Sequence, residues 1–241
     1  MLYKDEAIVL RTMRLGEADR IVTLIGRANG KIRAVAKGVR KTKSRFGGRL
    51  EPFSQVSLVL WRGKSGLDTI NQVEVVDPYR GIREDLDKFA LGEVMLEVVD
   101  RVVQEREQAP RTASVLIEGL QGLRAGGSSL VLACFLMRIS AIAGFGASLD
   151  RCAECGAAPA WFSPEQGGAV CPRCRSTDSE EVGTGVLELL SDIVREGPWV
   201  QTDPEVAATA MRLSRFYAEY HLERRLRSAA AVQTLLQGRS A

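Results

Sequence analysis

Hydrophobic period is the feature that most narrows what this chain can fold into, because it changes once and for good near Asp77-Pro78. Before that point the apolar residues come in short runs: Ala7–Leu10, Arg20–Ile25, Lys31–Lys37, Val56–Trp61 and Thr69–Val76. These runs are rich in β-branched side chains, which suit a pleated, half-buried surface. Asn29-Gly30 predicts a tight hairpin turn, and Arg62-Gly63-Lys64-Ser65-Gly66 predicts another reversal. In Lys31–Lys37 cations and apolar residues alternate. A period of two sends Ile32, Ala34 and Ala36 to one face and Lys31, Arg33, Val35 and Lys37 to the other. The first face should pack inward, and the second should present its cations to solvent. About five short strands without a long intervening helix predict a small closed barrel, and an OB-fold answers that description.

After residue 80 the period becomes helical. Leu91, Val94, Met95, Val98 and Val102 fall three and four apart within Glu84–Glu107. Ala109-Pro110 restarts the chain, and Ala113, Leu116, Ile117, Leu120 and Leu123 mark the inner face of a second helix. Gly126-Gly127 ends it, with Ser128 or Ser129 to cap the next. Leu130–Ala143 is apolar nearly all round, as expected of a helix in the middle of a bundle. Cys134 reads as a small core residue there. Arg138, the one charge in that run, is either paired or faces a pocket for an acidic ligand. Helices resume at Gly185–Glu196 and after Asp203-Pro204-Glu205, where an acidic cap, a proline and a first-turn acid make a start signal. Leu222–Leu236 reads as a last helix. The fold class is therefore α+β: an N-terminal five-stranded OB barrel over residues 1–80, then a helical domain over 81–241 that carries an inserted loop at 150–178.

Charge is distributed unevenly between these parts. Residues 1–80 hold 16 Lys/Arg against 8 Asp/Glu, and the remainder holds 17 against 22. From Arg27 to Arg49 there are nine Lys/Arg and no acid at all. Cations without counter-charge attract polyanions, because each phosphate contact releases condensed counterions. The glycine-punctuated segment Gly38–Phe53 is the centre of this run; its other reading is a solvated loop. Phe46 within it could stack on a base. Trp61 could do the same, but a tryptophan ending a strand reads better as a core or rim residue.

Cys152-Ala-Glu-Cys155 and Cys171-Pro-Arg-Cys174 are two C-x2-C knuckles. Four thiolates at this spacing can close a tetrahedron around Zn2+. A disulfide framework is the alternative, and it conflicts with a cytoplasmic location. That location is expected because Lys4, Asp5 and Glu6 interrupt the N-terminus and the apolar run Leu130–Met137 falls short of the roughly 20 residues of a membrane span. The zinc would be structural, since four protein ligands leave no position for water. Trp161, Phe162 and Gly167-Gly168 suit a miniature hairpin over the site.

No enzyme signature accompanies these features. His221, the only histidine, reads as a surface residue among charged neighbours, Gly63-Lys64-Ser65 lacks the context of a phosphate-binding loop, and Glu180-Glu181 reads as solvated. Catalysis is not expected.

The segments Glu6-Ala-Ile-Val-Leu10, Gly16-Glu-Ala-Asp19, Gly30-Lys-Ile-Arg-Ala-Val-Ala-Lys-Gly-Val-Arg-Lys41, Ser44-Arg45 and Leu50-Glu-Pro-Phe53 resemble the bacterial RecO family of DNA repair and recombination mediators. So do Tyr217-Ala-Glu-Tyr220 and Leu226-Arg-Ser228 near the other end. The resemblance implies binding to single- and double-stranded DNA, annealing of complementary strands, and contact with the acidic C-terminal tail of single-stranded-DNA-binding protein. It further implies cooperation with RecR in loading RecA during recombinational repair. On this sequence Lys31, Arg33, Lys37, Arg40, Lys41, Lys43, Arg45 and Arg49 would then hold phosphates, and Arg138 beside Phe135 could contribute to a pocket for the tail. A zinc-ribbon, OB-fold RNA-binding or translation-associated factor is the competing reading, and a metal-dependent hydrolase a weaker third.

Overall fold

The computed structural model describes residues 1–41, 44, 46–63, 66–222, 226 and 228. Lys43 and Arg45, and most of the helix expected over Leu222–Leu236, lie outside the described residues.

Five strands close the barrel: β1 (Leu2–Leu15), β2 (Asp19–Gly26), β3 (Gly30–Ala36), β4 (Gln55–Trp61) and β5 (Asp68–Asp77). Their order around it is β1-β2-β3-β5-β4, with β4 returning antiparallel to β1. All neighbours are antiparallel except β3 and β5, which meet in parallel through only Ala34↔Asp68 and Val35↔Thr69. The expected inward face of β3 is borne out: Ile32, Ala34 and Ala36 join Val9, Val22, Leu24, Val56, Leu58, Leu60 and Ile70 in one buried cluster. The β2–β3 reversal is built on Asp5. Its buried carboxylate accepts from the backbone N–H groups of Ala28 (3.1 Å) and Asn29 (2.9 Å) and from Asn29 Nδ2 (3.0 Å). Gly30 has φ +65°, and a Cβ there would lie 1.6 Å from the Glu107 carbonyl oxygen, so only glycine fits.

Past β5, Tyr79 adopts a left-handed conformation (φ 44°) and turns the chain into α1 (Arg80–Arg83). α2 (Leu86–Val102) starts on Asp85, whose carboxylate accepts from the N–H groups of Asp87 (3.0 Å) and Lys88 (3.2 Å). It packs on the barrel where Gly92 faces Phe53, and Phe53 meets Phe89 edge-on at 5.6 Å. The helical period predicted to run to Glu107 stops at Val102. The following residues return to the barrel, with Glu105 in a parallel bridge to Lys31. That edge of β3 is free to take them because its pairing with β5 is so short. α3 (Pro110–Gly126) follows.

The compact units divide at Arg124 and Ala125. The barrel strands end near residue 80, as the period change marks, but α1, α2 and nearly all of α3 belong to the barrel's unit. In the second unit α4 (Ser129–Ile142) is buried on nearly every side, as its composition predicts. It contacts α6 (Pro204–His221) and α5 (Thr184–Glu196). Asp203 caps α6 by accepting from the Glu205 N–H at 2.8 Å, with Pro204 in the first turn. Between α4 and α5 the chain forms a small antiparallel sheet of β6 (Trp161–Ser163), β7 (Gly168–Val170) and β8 (Glu180–Glu181), ordered β7-β6-β8. No helix among the described residues is long and apolar enough to cross a membrane.

Candidate nucleic-acid interface and metal centre

The connection from β3 to β4 carries the cationic run, and both its ends are anchored. At its start the Gly38 N–H donates to Asp19 Oδ1 at 2.7 Å, and the Arg40 N–H donates to the Ala18 carbonyl at 3.0 Å. Arg40 Nη1 donates to the Glu17 carbonyl at 2.9 Å. The Gly16–Asp19 turn between β1 and β2 thus holds the base of the loop, which explains why those two segments stand out together in the sequence. At its far end Phe46 and Leu50 are buried in the barrel core. Phe46 is 1 % exposed, so it anchors the loop and does not stack on a base. Lys37, Arg40, Lys41 and Arg49 are exposed along this connection. Among the described residues, Lys37, Arg40 and Lys41 engage no carboxylate side chain.

Lys31 does not stand in solvent as the alternation predicts, and Arg33, though its side chain is 35 % exposed, is paired. The side chain of Lys31 is only 12 % exposed and pairs with Asp100 at 2.8 Å. Its Nζ also donates to the carbonyl oxygens of Asp100 and Val103. Arg33 Nη1 pairs with Glu105 Oε1 at 2.9 Å. Burial would push the Asp100 carboxyl up, but hydrogen bonds from Lys31 and Arg11 outweigh it and hold the group below the usual carboxylate range. The strand face read as a cationic display is therefore the seat of the chain that leaves α2. No period of two could reveal partners some 70 positions away in sequence.

Other side chains also moved from their expected places. Trp61 is 52 % exposed, so it is not a core residue. Arg138 donates from Nε (3.2 Å) and Nη2 (3.0 Å) to the Val194 carbonyl, so it caps the end of α5. His221 is half-buried: it stacks on Phe145 at 4.8 Å and lies against Tyr217 at 4.4 Å. Burial lowers its pKa. Glu180 and Glu181 are both exposed, as expected, with Glu180 also taking the guanidinium of Arg212. Cys134 is a buried core residue, as predicted, with its thiol on the Ile193 carbonyl at 2.9 Å.

The four knuckle cysteines converge. The Sγ atoms of Cys152, Cys155, Cys171 and Cys174 all lie within 4.8 Å of one another. Cys155 and Cys171 are 3.7 Å apart at sulfur. A tetrahedron with metal–sulfur bonds of about 2.3 Å has sulfur–sulfur edges of about 3.8 Å, whereas a disulfide bond is about 2.05 Å long. The donor set therefore fits a tetrahedral thiolate metal site. Each knuckle is a tight turn: the Gly156 N–H closes on the Cys152 carbonyl at 2.9 Å with φ +75°, and the Cys174 N–H closes on the Cys171 carbonyl at 3.1 Å. Burial pushes the Cys152 thiol up. Backbone N–H groups at Cys155, Cys171 and Glu154 outweigh that and bring it down to about 6. The neighbouring Cys155 and Cys171 sulfurs push Cys174 up to about 12. Four negative sulfurs at this distance repel one another, and a bound cation removes that repulsion. Gln166 braces the second knuckle, donating to the Cys174 carbonyl at 2.8 Å and accepting from the Ser176 N–H at 3.1 Å. Arg175 lies 4.0 Å above the Trp161 ring.

A closed barrel of this strand order, extended by helices and followed by a helical unit with a four-thiol cluster, defines a protein of OB-fold architecture. The comparisons then specify it. The chain belongs to the RecO family: the model described as "Recombination protein O N terminal" matches residues 1–79, and "Recombination protein O C terminal" matches residues 83–230. It is 45 % identical over 245 residues to the DNA repair protein RecO of a Nocardioides species, covering 97 % of this chain and 100 % of that one. The protein of the same name from Frankia casuarinae is 43 % identical over 237 residues (94 % and 96 % covered). That of Bifidobacterium longum is 39 % identical over 239 residues (97 % and 99 % covered).

Proposed function

We propose that the protein is a DNA repair and recombination mediator without covalent chemistry of its own. It binds single- and double-stranded DNA, anneals complementary strands, and works with RecR and single-stranded-DNA-binding protein to load RecA. The observation that carries this reading is the anchored connection on which Lys37, Arg40 and Lys41 stand exposed with no carboxylate engaged among the described residues. Phosphates held there would screen one backbone from another, so two complementary strands could approach without mutual repulsion. Family membership and relatives named as DNA repair proteins over nearly their whole lengths support the same assignment over an RNA-binding factor. Lys31 and Arg33 take no part in this reading, because their charge is spent on Asp100 and Glu105.

Cys152, Cys155, Cys171 and Cys174 would hold Zn2+ in a structural role, tying the two knuckles of an insertion with little apolar core. The acidic tail of the binding protein has no assigned seat, since Arg138 is occupied in capping α5. The test is annealing of complementary strands coated with the binding protein, with and without its tail, in parallel with competition by structured RNA. Tail-dependent annealing with DNA preferred is the expected result. Equal or tighter binding to RNA, without annealing, would favour the translation-associated reading.

A further inference from the structure

A groove of about 440 Å³ opens beside the barrel and is lined by Phe46, Arg49, Val75, Pro78, Arg80 and Arg83, among others. None of the residues lining it is acidic. Arg80 and Arg83 are three apart on α1, which places them on the same side of that turn. Arg83 is fixed from below, donating through Nη1 to the Pro52 carbonyl at 3.0 Å and to Ser54 Oγ at 3.2 Å. Neither it nor the exposed Arg80 engages a carboxylate among the described residues. Of the acids around it, Asp77 pairs with Arg124, Glu51 pairs with Arg20 at 3.0 Å and Asp85 caps α2, while Glu84 is exposed. The floor is apolar. Val75, 38 % exposed near the end of β5, and Pro78 supply it.

We propose that this groove is a single-strand subsite: Arg49, Arg80 and Arg83 hold consecutive phosphates, and bases lie on Val75 and Pro78. The proposal rests on the DNA-binding function above and extends it past the barrel strands to α1. An apolar floor between cations suits unstacked bases, whereas a duplex keeps its bases inside and offers only phosphates.

The experiment uses the full chain, a fluorescent oligothymidine and a hairpin duplex, each titrated over a range of salt. Arg80→Glu is the test variant because its side chain braces nothing, and Lys41→Glu is the comparison. Arg80→Glu should weaken single-strand binding on the order of tenfold and lower the salt slope by about 0.7, the value of one single-strand phosphate. Its effect on the duplex should be several-fold smaller. Photocrosslinking of iodouracil-substituted strand should map to the 75–83 peptide. Unchanged single-strand affinity and slope for Arg80→Glu, with Lys41→Glu impaired, would remove the groove and leave the function standing. No effect of either variant would remove both. An equal loss on duplex and single strand would overturn the base-floor assignment.

Discussion

Lys31 and the pair Lys37 and Lys41 separate two roles that look alike in sequence. Replacing Lys37 and Lys41 together by alanine should remove two phosphate contacts from exposed side chains that support no internal bond. At about 0.7 per phosphate on a single strand, the slope of log affinity against log salt should fall by about 1.4. Between 50 and 200 mM salt the natural protein should therefore lose about sevenfold more affinity than the variant, with no change in melting temperature. Lys31→Ala should do the reverse. Its ammonium pairs with the half-buried Asp100 at 2.8 Å, and removing it leaves that carboxylate with Arg11 at 2.7 Å. A cost of about 1–3 kcal/mol follows for a partly compensated buried charge, which is several degrees of melting temperature in a unit of this size. The pH dependence has a definite sign. Asp100 is held below its unfolded value near about 3.9, so the stabilisation is present above that value and lost as pH falls through the lower, folded one. The gap between natural protein and Lys31→Ala should be full at neutral pH and close in acid. Fluorescence anisotropy over a salt series and thermal melts over a pH series measure both halves. A folded Lys37→Ala/Lys41→Ala variant with an unchanged slope would refute the reasoning. So would a Lys31→Ala variant that flattens the slope without melting earlier.

Cys171→Ser should release metal, seen by native mass spectrometry, and lower the melting temperature of the second unit while leaving single-strand affinity largely intact; a natural protein that carries no metal would remove the zinc assignment. Gly92→Ala would bring a Cβ to 2.6 Å from Phe53 Cε1 and should cost about 1–3 kcal/mol by overpacking the contact of α2 with the barrel. Gly81→Ala, with open space at its Cβ, serves as the control, and equal melting temperatures for the two would count against that contact. Phe46→Ala should destabilise the barrel by about 3–5 kcal/mol; a stable variant that only binds DNA less well would restore the stacking reading.

Local chemistry explains what was legible from the chain alone. Ile32, Ala34 and Ala36 face the barrel interior because alternation is a property of the strand backbone itself. Asp203 and Pro204 start α6 because capping is settled within one turn. The two C-x2-C knuckles announce the four-thiol cluster because each pair of cysteines is set by a four-residue turn, so only one long-range closure remained to be found. The family was legible too, since its glycine, acidic and basic signatures are contiguous.

Tertiary structure alone decided which cations are available. Lys31, Arg33, Lys37 and Lys41 are the same kind of residue in one run, yet the first two meet carboxylates from the chain around the end of α2 and the last two meet none among the described residues. Likewise Phe46 went inward and Trp61 outward, and Arg80 and Arg83 became the lining of a groove that no motif marks. Charge sign is written in the residue, but its freedom to bind a phosphate depends on which distant acid the fold brings within about 4 Å. That pairing is a property of the closed barrel and the helix packed on it, not of any segment read by itself.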